Sequence, residues 1–260
     1  MKSYFLTLLL TFILLPTAWG LPESVSINLP NGVVLREVVN TTVVPLTGNP
    51  ETDHCTATLT LPKFQYANPE TESLAMKRIS RKWFRTGLRS VNDFLLATAN
   101  TETCQSDFFS AYQIDLGYSF TSQLGNMVTM VYSHYTYSGG AHGWGGYDKT
   151  LLDFSTGKEI PGTLDTFLKQ EKLAELLNRI EQKLYQTEGF DSSFGWVDWK
   201  KGVSSLADIS NFYFTNKGIT IFFNPYAIGP YAAGIIEAEL SWAEIRDLKN
   251  NSDFSASLPN

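Results

Sequence analysis

The fold is decided by a stretch in the middle of the chain, residues 111–154, which read AYQIDLGYSFTSQLGNMVTMVYSHYTYSGGAHGWGGYDKTLLDF. Apolar and polar residues alternate over 111–121 and again over 127–137, and a Gly-Asn turn separates the two runs. A glycine-rich loop then leads to a third run at 147–154. Alternation with a period of two, interrupted by turn residues, is typical of half-buried strands joined in hairpins. The stretch therefore predicts three strands, which we place in antiparallel sheets.

The residues after this stretch predict a helix and a second group of strands. Leucine and isoleucine recur at helical spacing over 165–186, which predicts a helix with one buried side. Residues 212–214 and 219–223 flank an Asn-Lys-Gly turn, so we expect a hairpin whose glycine, Gly218, takes a positive φ. A further strand is predicted at 235–242.

The residues before the central stretch repeat this arrangement. Alternating segments predict extended structure over 21–67, and Asn-Pro-Glu at 68–70 is a typical helix start, with the helix running to about residue 97. Each half of the chain thus contains antiparallel strands and one long helix. We predict an α+β protein of two packed subdomains, residues 21–125 and 126–260.

Composition narrows the classes of protein. The chain has 260 residues, of which 43% are hydrophobic and 18% charged, so it can bury a substantial core and is not disordered or coiled-coil in type. Its formal net charge is −6 at pH 7. An acidic chain has no global attraction to nucleic acid, so we expect no nucleic-acid partner.

The N-terminus predicts export. Residues 1–20 combine a lysine, an apolar run and small residues around a cleavage position, which is the pattern of a secretory signal peptide. We therefore expect a periplasmic or extracellular protein without an integral membrane anchor after cleavage. The two cysteines, Cys55 and Cys104, suit one disulfide in an exported chain, and two unpaired buried thiols are the alternative.

Motifs for known enzyme chemistry are absent from the sequence. It contains three histidines and no His-Glu-x-x-His helix, Gly-x-Ser-x-Gly elbow or Walker loop. Two cysteines are too few for a structural zinc site. We therefore predict no catalytic residue, metal or cofactor, although a triad assembled in space stays open. Glu237 and Glu239 share one face of a strand, which more often is a solvated face than a glycosidase site.

One histidine lies in the glycine-rich loop, where it is a candidate for ligand binding. His142 follows Tyr137 and two glycines and precedes Trp144. Glycines let the backbone approach other groups closely, and an imidazole titrates near neutral pH. His142, Tyr137 and Trp144 are therefore candidate ligand-binding residues, and the alternative is a histidine that fastens the loop.

The first helix carries a basic face. Six cations lie between residues 77 and 89 with no acid among them. We take Arg78, Lys82, Arg85 and Arg89, on one side of the helix, as candidate contacts for an acidic protein, an anionic glycan or a lipid headgroup. A solvated face balanced by acids elsewhere in the fold is the alternative.

The loop at 187–205 concentrates aromatic residues outside predicted regular structure. Exposed aromatic rings bind sugar rings or act as hot spots in protein interfaces. Phe194, Trp196 and Trp199 are therefore candidate ligand-binding residues, and a small core beneath the loop is the alternative.

Three motifs in the C-terminal half resemble a known bacterial family. They are YSGGAHG at 137–143, LDFSTGK at 152–158 and NPYAIGPYAAG at 224–234. Together with the helix and strands around them, they resemble the extracytoplasmic region of RsiV-type anti-sigma factors, which sense lysozyme. The same module accompanies the catalytic domain of some peptidoglycan deacetylases and also occurs alone in exported proteins. Residues 25–130 are similar in layout to the N-terminal half of that family.

The resemblance implies an α+β fold of two subdomains and a role in binding. The chain lacks the Asp/His/His metal site of the deacetylases, so deacetylation is not implied. We expect an exported, non-enzymatic envelope protein that binds a lysozyme-like hydrolase or the peptidoglycan glycan. Two alternatives stay open: a hydrolase or esterase of envelope polymers that uses His142, and an immunity-type inhibitor of a secreted toxin.

Overall fold

The structure, a computed structural model, describes three long parts of the chain and a set of shorter segments. The described residues are 21–23, 25, 27–28, 34–35, 40–45, 56–61, 74, 77–78, 81–82, 85, 89, 113–138, 140–186 and 198–259. The predicted signal peptide, Cys55, Cys104, Phe194 and Trp196 lie outside them, so the predictions for these residues stay predictions.

Eight described strands precede the long helix of the C-terminal half. They are β1 (Ile27–Asn28), β2 (Val34–Leu35), β3 (Asn40–Pro45), β4 (Thr56–Leu61), β5 (Gln113–Leu124), β6 (Met127–Tyr137), β7 (Trp144–Asp153) and β8 (Lys158–Ile160). The first two pair with each other, and the other six form one sheet in the order β3-β4-β5-β6-β7-β8. The three strands predicted from the central stretch are confirmed.

The centre of this sheet is a long hairpin. Strands β5 and β6 pair antiparallel along their whole lengths, with a register shift between Phe120 and Ser122. Gly125 closes the turn with a φ of 61°, which glycine adopts without steric cost. The division predicted between residues 125 and 126 falls in this turn.

One pairing in the larger sheet is parallel. Strand β4 runs alongside β5, with Thr56 opposite Gln113 and Leu59 opposite Leu116. Parallel neighbours require a crossover connection of a dozen or more residues. The segment between β4 and β5 provides it and includes helical residues at 74, 77–78, 81–82, 85 and 89.

The smaller sheet has three antiparallel strands, β9 (Phe212–Phe214), β10 (Gly218–Phe223) and β11 (Ile236–Ser241), in the order β11-β10-β9. The predicted hairpin is confirmed, but the expected positive φ at Gly218 is wrong. Glycine is needed there for a different reason. A Cβ atom on Gly218 would lie 1.9 Å from the carbonyl oxygen of Leu240 on the paired strand.

The long helix α1 (Leu173–Gln186) begins eight residues later than the spacing predicted. Two single 3-10 turns, at Leu164–Thr166 and Gln170–Lys172, occupy the preceding segment and direct Leu164 and Phe167 into the core. Four residues of the predicted stripe on α1 are buried: Leu176, Leu177, Ile180 and Leu184. Two short helices follow the last strand, α2 (Trp242–Ile245) and α3 (Asp253–Ala256).

The main core lies between α1 and one face of the smaller sheet. Phe167 is completely buried there, with its ring 4.9 Å from that of Phe214 and 6.2 Å from that of Phe212. Edge-to-face arrangements of this kind are favourable for aromatic pairs. The core thus fixes the smaller sheet against the helix.

The other face of the smaller sheet packs on the larger sheet. Val131 of β6 and Tyr147 of β7 form a buried cluster with Tyr213 and Phe222. The Thr121 hydroxyl of β5 donates a hydrogen bond of 2.6 Å to the Phe214 carbonyl. We call this contact between the two sheets the seam. The observed architecture is α+β with two packed parts, as predicted.

None of the helices in the described part of the chain combines the length and the apolar character that a membrane crossing needs.

A carboxyl group at the edge of the seam predicts an unusual pH dependence. Tyr213 donates a hydrogen bond of 2.9 Å to Glu237 Oε1. Burial raises the pKa of Glu237 more than this hydrogen bond lowers it, and the charge of Glu239 raises it further. A raised carboxyl pKa means that the folded state holds the proton more tightly than the unfolded state. Stability is therefore lost as the pH rises through the raised pKa.

We expect Glu237→Gln to increase the melting temperature at pH 7.5, because glutamine keeps the acceptor for Tyr213 without a buried charge. The difference from the wild type should disappear near pH 4, where Glu237 is protonated. Thermal unfolding at both pH values checks this, with Glu171→Gln, at an exposed position before α1, as the control. An equal shift at both pH values would contradict the assignment.

Candidate functional site

Two backbone-side-chain hydrogen bonds join the glycine-rich strand β7 to the corner that follows β10. The Tyr147 backbone N–H donates to Asn224 Oδ1 at 2.8 Å, and Asn224 Nδ2 donates to the Tyr147 carbonyl at 3.0 Å. Strand β8 pairs only with residues 151–153 of β7, so it does not reach Tyr147. The Asn224 amide therefore takes the place of a neighbouring strand and satisfies two backbone groups of a buried residue.

Glycines make this approach geometrically feasible. A Cβ atom on Gly146 would lie 2.8 Å from the Asn224 side chain. A Cβ atom on Gly143 would lie 2.4 Å from the ring of Tyr135. Close approach is thus a property of Gly143 and Gly146 and not of Gly140, where a Cβ atom would meet no other atom within 4 Å. The strand begins at Trp144 and includes both Gly145 and Gly146, although the sequence placed them in the loop.

The corner itself holds a strained tyrosine. The backbone turns tightly after Asn224, with the Ala227 N–H donating to the Asn224 carbonyl at 2.9 Å. Tyr226 has a φ of 68°, the one positive φ among the described residues other than glycine. Bulky residues rarely adopt this conformation, which costs about 1 kcal/mol or more. The turn presents the Tyr226 ring to solvent, with 50% of the residue exposed.

His142 connects the loop to this corner through both ring nitrogens. Nδ1 lies 2.8 Å from the Gly143 carbonyl oxygen, and Nε2 lies 3.1 Å from the Tyr226 hydroxyl. A carbonyl oxygen only accepts, so Nδ1 donates, and the neutral imidazole accepts the Tyr226 proton at Nε2. The imidazole also stacks on the Tyr231 ring, with centroids 3.9 Å apart and planes 18° apart.

Two exposed rings stack next to this histidine. The Trp144 and Tyr226 rings are 6.1 Å apart between centroids and 12° from parallel. Trp144 is 55% exposed. Tyr137 supports the loop from below, because its hydroxyl donates to the Gly140 carbonyl at 2.9 Å. We call the five residues Tyr137, His142, Trp144, Tyr226 and Tyr231 the aromatic cluster.

The structure brings three of the predicted site residues together, namely Tyr137, His142 and Trp144. Trp199 is elsewhere: it is partly buried, and its ring packs 5.3 Å from that of Phe223 at the edge of the main core. Trp199 thus packs against the main core and not against a separate small core beneath its loop, and a role in binding stays a prediction.

The predicted basic contacts are helical and exposed. They are Arg78, Lys82, Arg85 and Arg89. Lys82 pairs with Glu159 of β8, the edge strand of the larger sheet, and both side chains remain largely exposed.

Tyr226 and Tyr231 are not among the site residues that the sequence predicts. Their motif, Pro-Tyr repeated five residues apart, was visible. The exposed, strained placement of Tyr226 was not, because it depends on the distant residues Tyr147 and His142. Two glycines shape the backbone here: Gly140 and Gly234 have φ values of 102° and 71°, which glycine adopts without steric cost.

The aromatic cluster is suited to binding a partner and not to cleaving a covalent bond. Both nitrogens of His142 bond to groups that fasten the loop, and none of the described hydrogen bonds links them to a serine, cysteine or carboxylate. Within the described segments, no group of three or more His, Cys, Asp or Glu side chains is arranged to hold a metal ion. The arrangement presents a rigid, mainly aromatic surface with several hydroxyl groups.

Two family models match this chain. Residues 49–144 match the model of the deacetylase PdaC, and residues 165–243 match DUF3298, a family of proteins of unknown function. The aromatic cluster lies across both regions, since Tyr137, His142 and Trp144 belong to the first and Tyr226 and Tyr231 to the second. No curated protein matches the sequence of this chain at a significant level.

Solved structures share the fold. A DUF3298 family member from Bacteroides fragilis NCTC 9343 superimposes with a TM-score of 0.55 at 16% identity, covering 86% of this chain and 96% of its own. A DUF3298 family protein from Pseudomonas aeruginosa PAO1 gives a TM-score of 0.53 at 14% identity, covering 88% and 97%.

The chain is thus similar to the PdaC model over one segment and to the DUF3298 model over the next, and it has the fold of solved DUF3298 family proteins. These similarities confirm the predicted resemblance to the RsiV-like, PdaC-associated extracytoplasmic domain. Domains of the PdaC and DUF3298 families are typically extracytoplasmic.

The Asn224 contact predicts a measurable loss of stability on truncation. Asn224→Ala leaves the buried N–H and C=O of Tyr147 without partners, so we expect a loss of about 1–3 kcal/mol in the free energy of unfolding. Chemical denaturation checks this value. Asn178→Ala, on the exposed side of α1, is the matched control and should change stability little.

The backbone of Tyr226 predicts a difference between two small replacements. Both Tyr226→Ala and Tyr226→Gly remove the ring, but only glycine adopts the positive φ without strain. We expect Tyr226→Gly to be more stable than Tyr226→Ala by about 1–2 kcal/mol. Equal stabilities in chemical denaturation would show that the backbone relaxes when the ring is lost.

Proposed function

We propose that this chain is an exported, non-enzymatic protein of the bacterial envelope that binds a lysozyme-like, cell-wall-active protein through the aromatic cluster. The single observation that carries the proposal is the exposed pair Trp144 and Tyr226, held in place at the cost of backbone strain. Strain of this kind is retained where the surrounding structure fixes a functional geometry.

The chemistry of the cluster suits a protein partner. Tryptophan and tyrosine are enriched among interface residues that contribute most to binding, because they bury large areas with few rotatable bonds. His142 and Tyr231 hold the Tyr226 ring, so little freedom is lost when a partner packs on it. A preorganised surface of this type binds with a smaller entropic penalty than a mobile loop.

The net charge supports a cationic partner. A formal charge of −6 attracts a basic protein and accelerates its diffusional encounter. The resemblance to lysozyme-sensing ectodomains and the match to a deacetylase family model favour an envelope setting. Both arguments point to a basic hydrolase of the cell wall.

A second candidate is the peptidoglycan glycan itself. The near-parallel rings of Trp144 and Tyr226 form a platform on which the apolar faces of successive sugar rings would stack. This alternative uses the same two residues. It differs in its ligand, so binding measurements separate the two candidates.

The remaining alternatives have less support. A hydrolase using His142 needs an imidazole free to take a proton from a nucleophile, yet both its nitrogens fasten the loop. An immunity-type inhibitor would use the same exposed surface toward a toxin. Hydrolysis of an envelope polymer that depends on His142 would favour the hydrolase. Inhibition of a toxin encoded by a neighbouring gene would favour the inhibitor.

We expect Trp144→Ala and Tyr226→Ala each to weaken binding of a lysozyme at least tenfold, as for residues at the centre of an interface. Isothermal titration calorimetry with a panel of lysozymes and with purified peptidoglycan fragments measures the effect. Tyr185→Ala is the matched control, because Tyr185 is 65% exposed but lies on α1.

The outcomes separate the candidates. Loss of lysozyme binding in the two cluster variants and not in the control supports the protein partner. Binding only to peptidoglycan fragments, with the same dependence on Trp144 and Tyr226, supports the glycan. Failure of the wild type to bind either at micromolar concentration would contradict both.

A further inference from the structure

The helix between β4 and β5 carries a row of arginines that the proposed function does not use. Arg78, Arg81, Arg85 and Arg89 are all helical and exposed. We call these four residues the arginine stripe. Their spacing of three, four and four residues keeps them on one side of a helix, within about 80° of arc and over about 16 Å of its length.

The stripe is not neutralised within the described part of the protein. No acidic residue occurs in the sequence from 77 to 89. Lys82, at the flank of the stripe, pairs with Glu159, whereas the four arginines form no ion pair with any described residue. The described structure therefore offers no intramolecular counter-charge for these guanidinium groups.

Helix stability does not account for this arrangement. Like charges three or four residues apart repel and destabilise a helix. The rest of the chain is acidic, so the stripe is a local positive region on a negative molecule. Concentrated positive charge that weakens its own helix is readily explained when an external anion neutralises it.

The residue type and the spacing identify the anion. Arginine presents a planar fork of N–H donors that matches the oxygens of a phosphate in a bidentate manner, which lysine does not. Successive guanidinium groups are displaced by about 4.5 to 6 Å along the helix. That displacement suits a linear polymer that carries one phosphodiester per short repeat.

We infer that the arginine stripe binds a linear phosphodiester polymer of the cell envelope, of the poly(glycerol phosphate) type. This inference rests on the envelope location given in the proposed function, but not on the aromatic cluster or on its partner. A membrane surface presents its phosphates in a plane and not along a line, so it is an outcome that the experiment distinguishes from the polymer.

The site is tested with a fluorescent, synthetic oligo(glycerol phosphate) and the full chain. Fluorescence anisotropy gives the affinity at a series of sodium chloride concentrations. If four phosphates are contacted, log K should fall with log[salt] with a slope of about −3, by the counterion release measured for single-stranded polyanions. The quadruple variant Arg78→Gln, Arg81→Gln, Arg85→Gln, Arg89→Gln should bind at least tenfold more weakly and lose most of this slope.

Three further variants make the result specific. The control removes four cations elsewhere, with Lys169→Gln, Lys201→Gln, Lys217→Gln and Arg246→Gln, and should stay within about threefold of the wild type. The quadruple Arg→Lys variant of the stripe should keep the salt slope but bind more weakly, because the bidentate fork is lost. Trp144→Ala should bind the polymer normally, which separates this site from the aromatic cluster. Circular dichroism confirms that each variant retains its helices.

Several results would overturn the inference. They are no binding of the polymer by the wild type, an equal loss in the stripe and control variants, and binding to phosphatidylglycerol vesicles without binding to the free polymer. Capture of an acidic protein in place of the polymer would likewise assign the stripe to a different partner.

Discussion

The structure depends on the double hydrogen bond between the Asn224 amide and the backbone of Tyr147. It replaces a missing strand at the outer edge of β7, and it attaches the corner after β10 to the larger sheet. Because Tyr147 also packs in the seam, the same residue joins the two sheets through its side chain and the corner through its backbone. The position of Tyr226 above the loop of His142 follows from this attachment.

The two proposed binding surfaces of the molecule differ in the interactions by which they would bind. The aromatic cluster is rigid, nearly uncharged and preorganised by stacking and hydrogen bonds, so its contribution to binding comes from burial of apolar area. The arginine stripe is exposed and strongly charged, so its contribution would come from electrostatic attraction and would fall with salt. The two proposed sites would therefore respond differently to ionic strength.

The secondary structure was largely predictable because it is local. Alternation located β5, β6, β9 and β10, and the turn glycine Gly125 was evident. The start of α1 was predicted too early, because the apolar residues of two 3-10 turns continue the spacing of the helix. Gly218 illustrates the same limit, since its close contact with the Leu240 carbonyl arises from strand pairing and not from the turn.

By itself the sequence determined the α+β class, the strands and helices, the glycine-shaped loop of His142 and the basic face of the first helix, because hydrophobic period, turn residues and charge are properties of neighbouring residues. Only the tertiary structure decided which side chains meet. Hydrogen bonds that no local pattern encodes join Tyr147 to Asn224, 77 positions apart, and His142 to Tyr226, 84 positions apart. The strained, exposed placement of Tyr226 follows from those long-range contacts. The sequence therefore predicted Tyr137, His142 and Trp144 as site residues, but not the aromatic cluster that they form with Tyr226 and Tyr231.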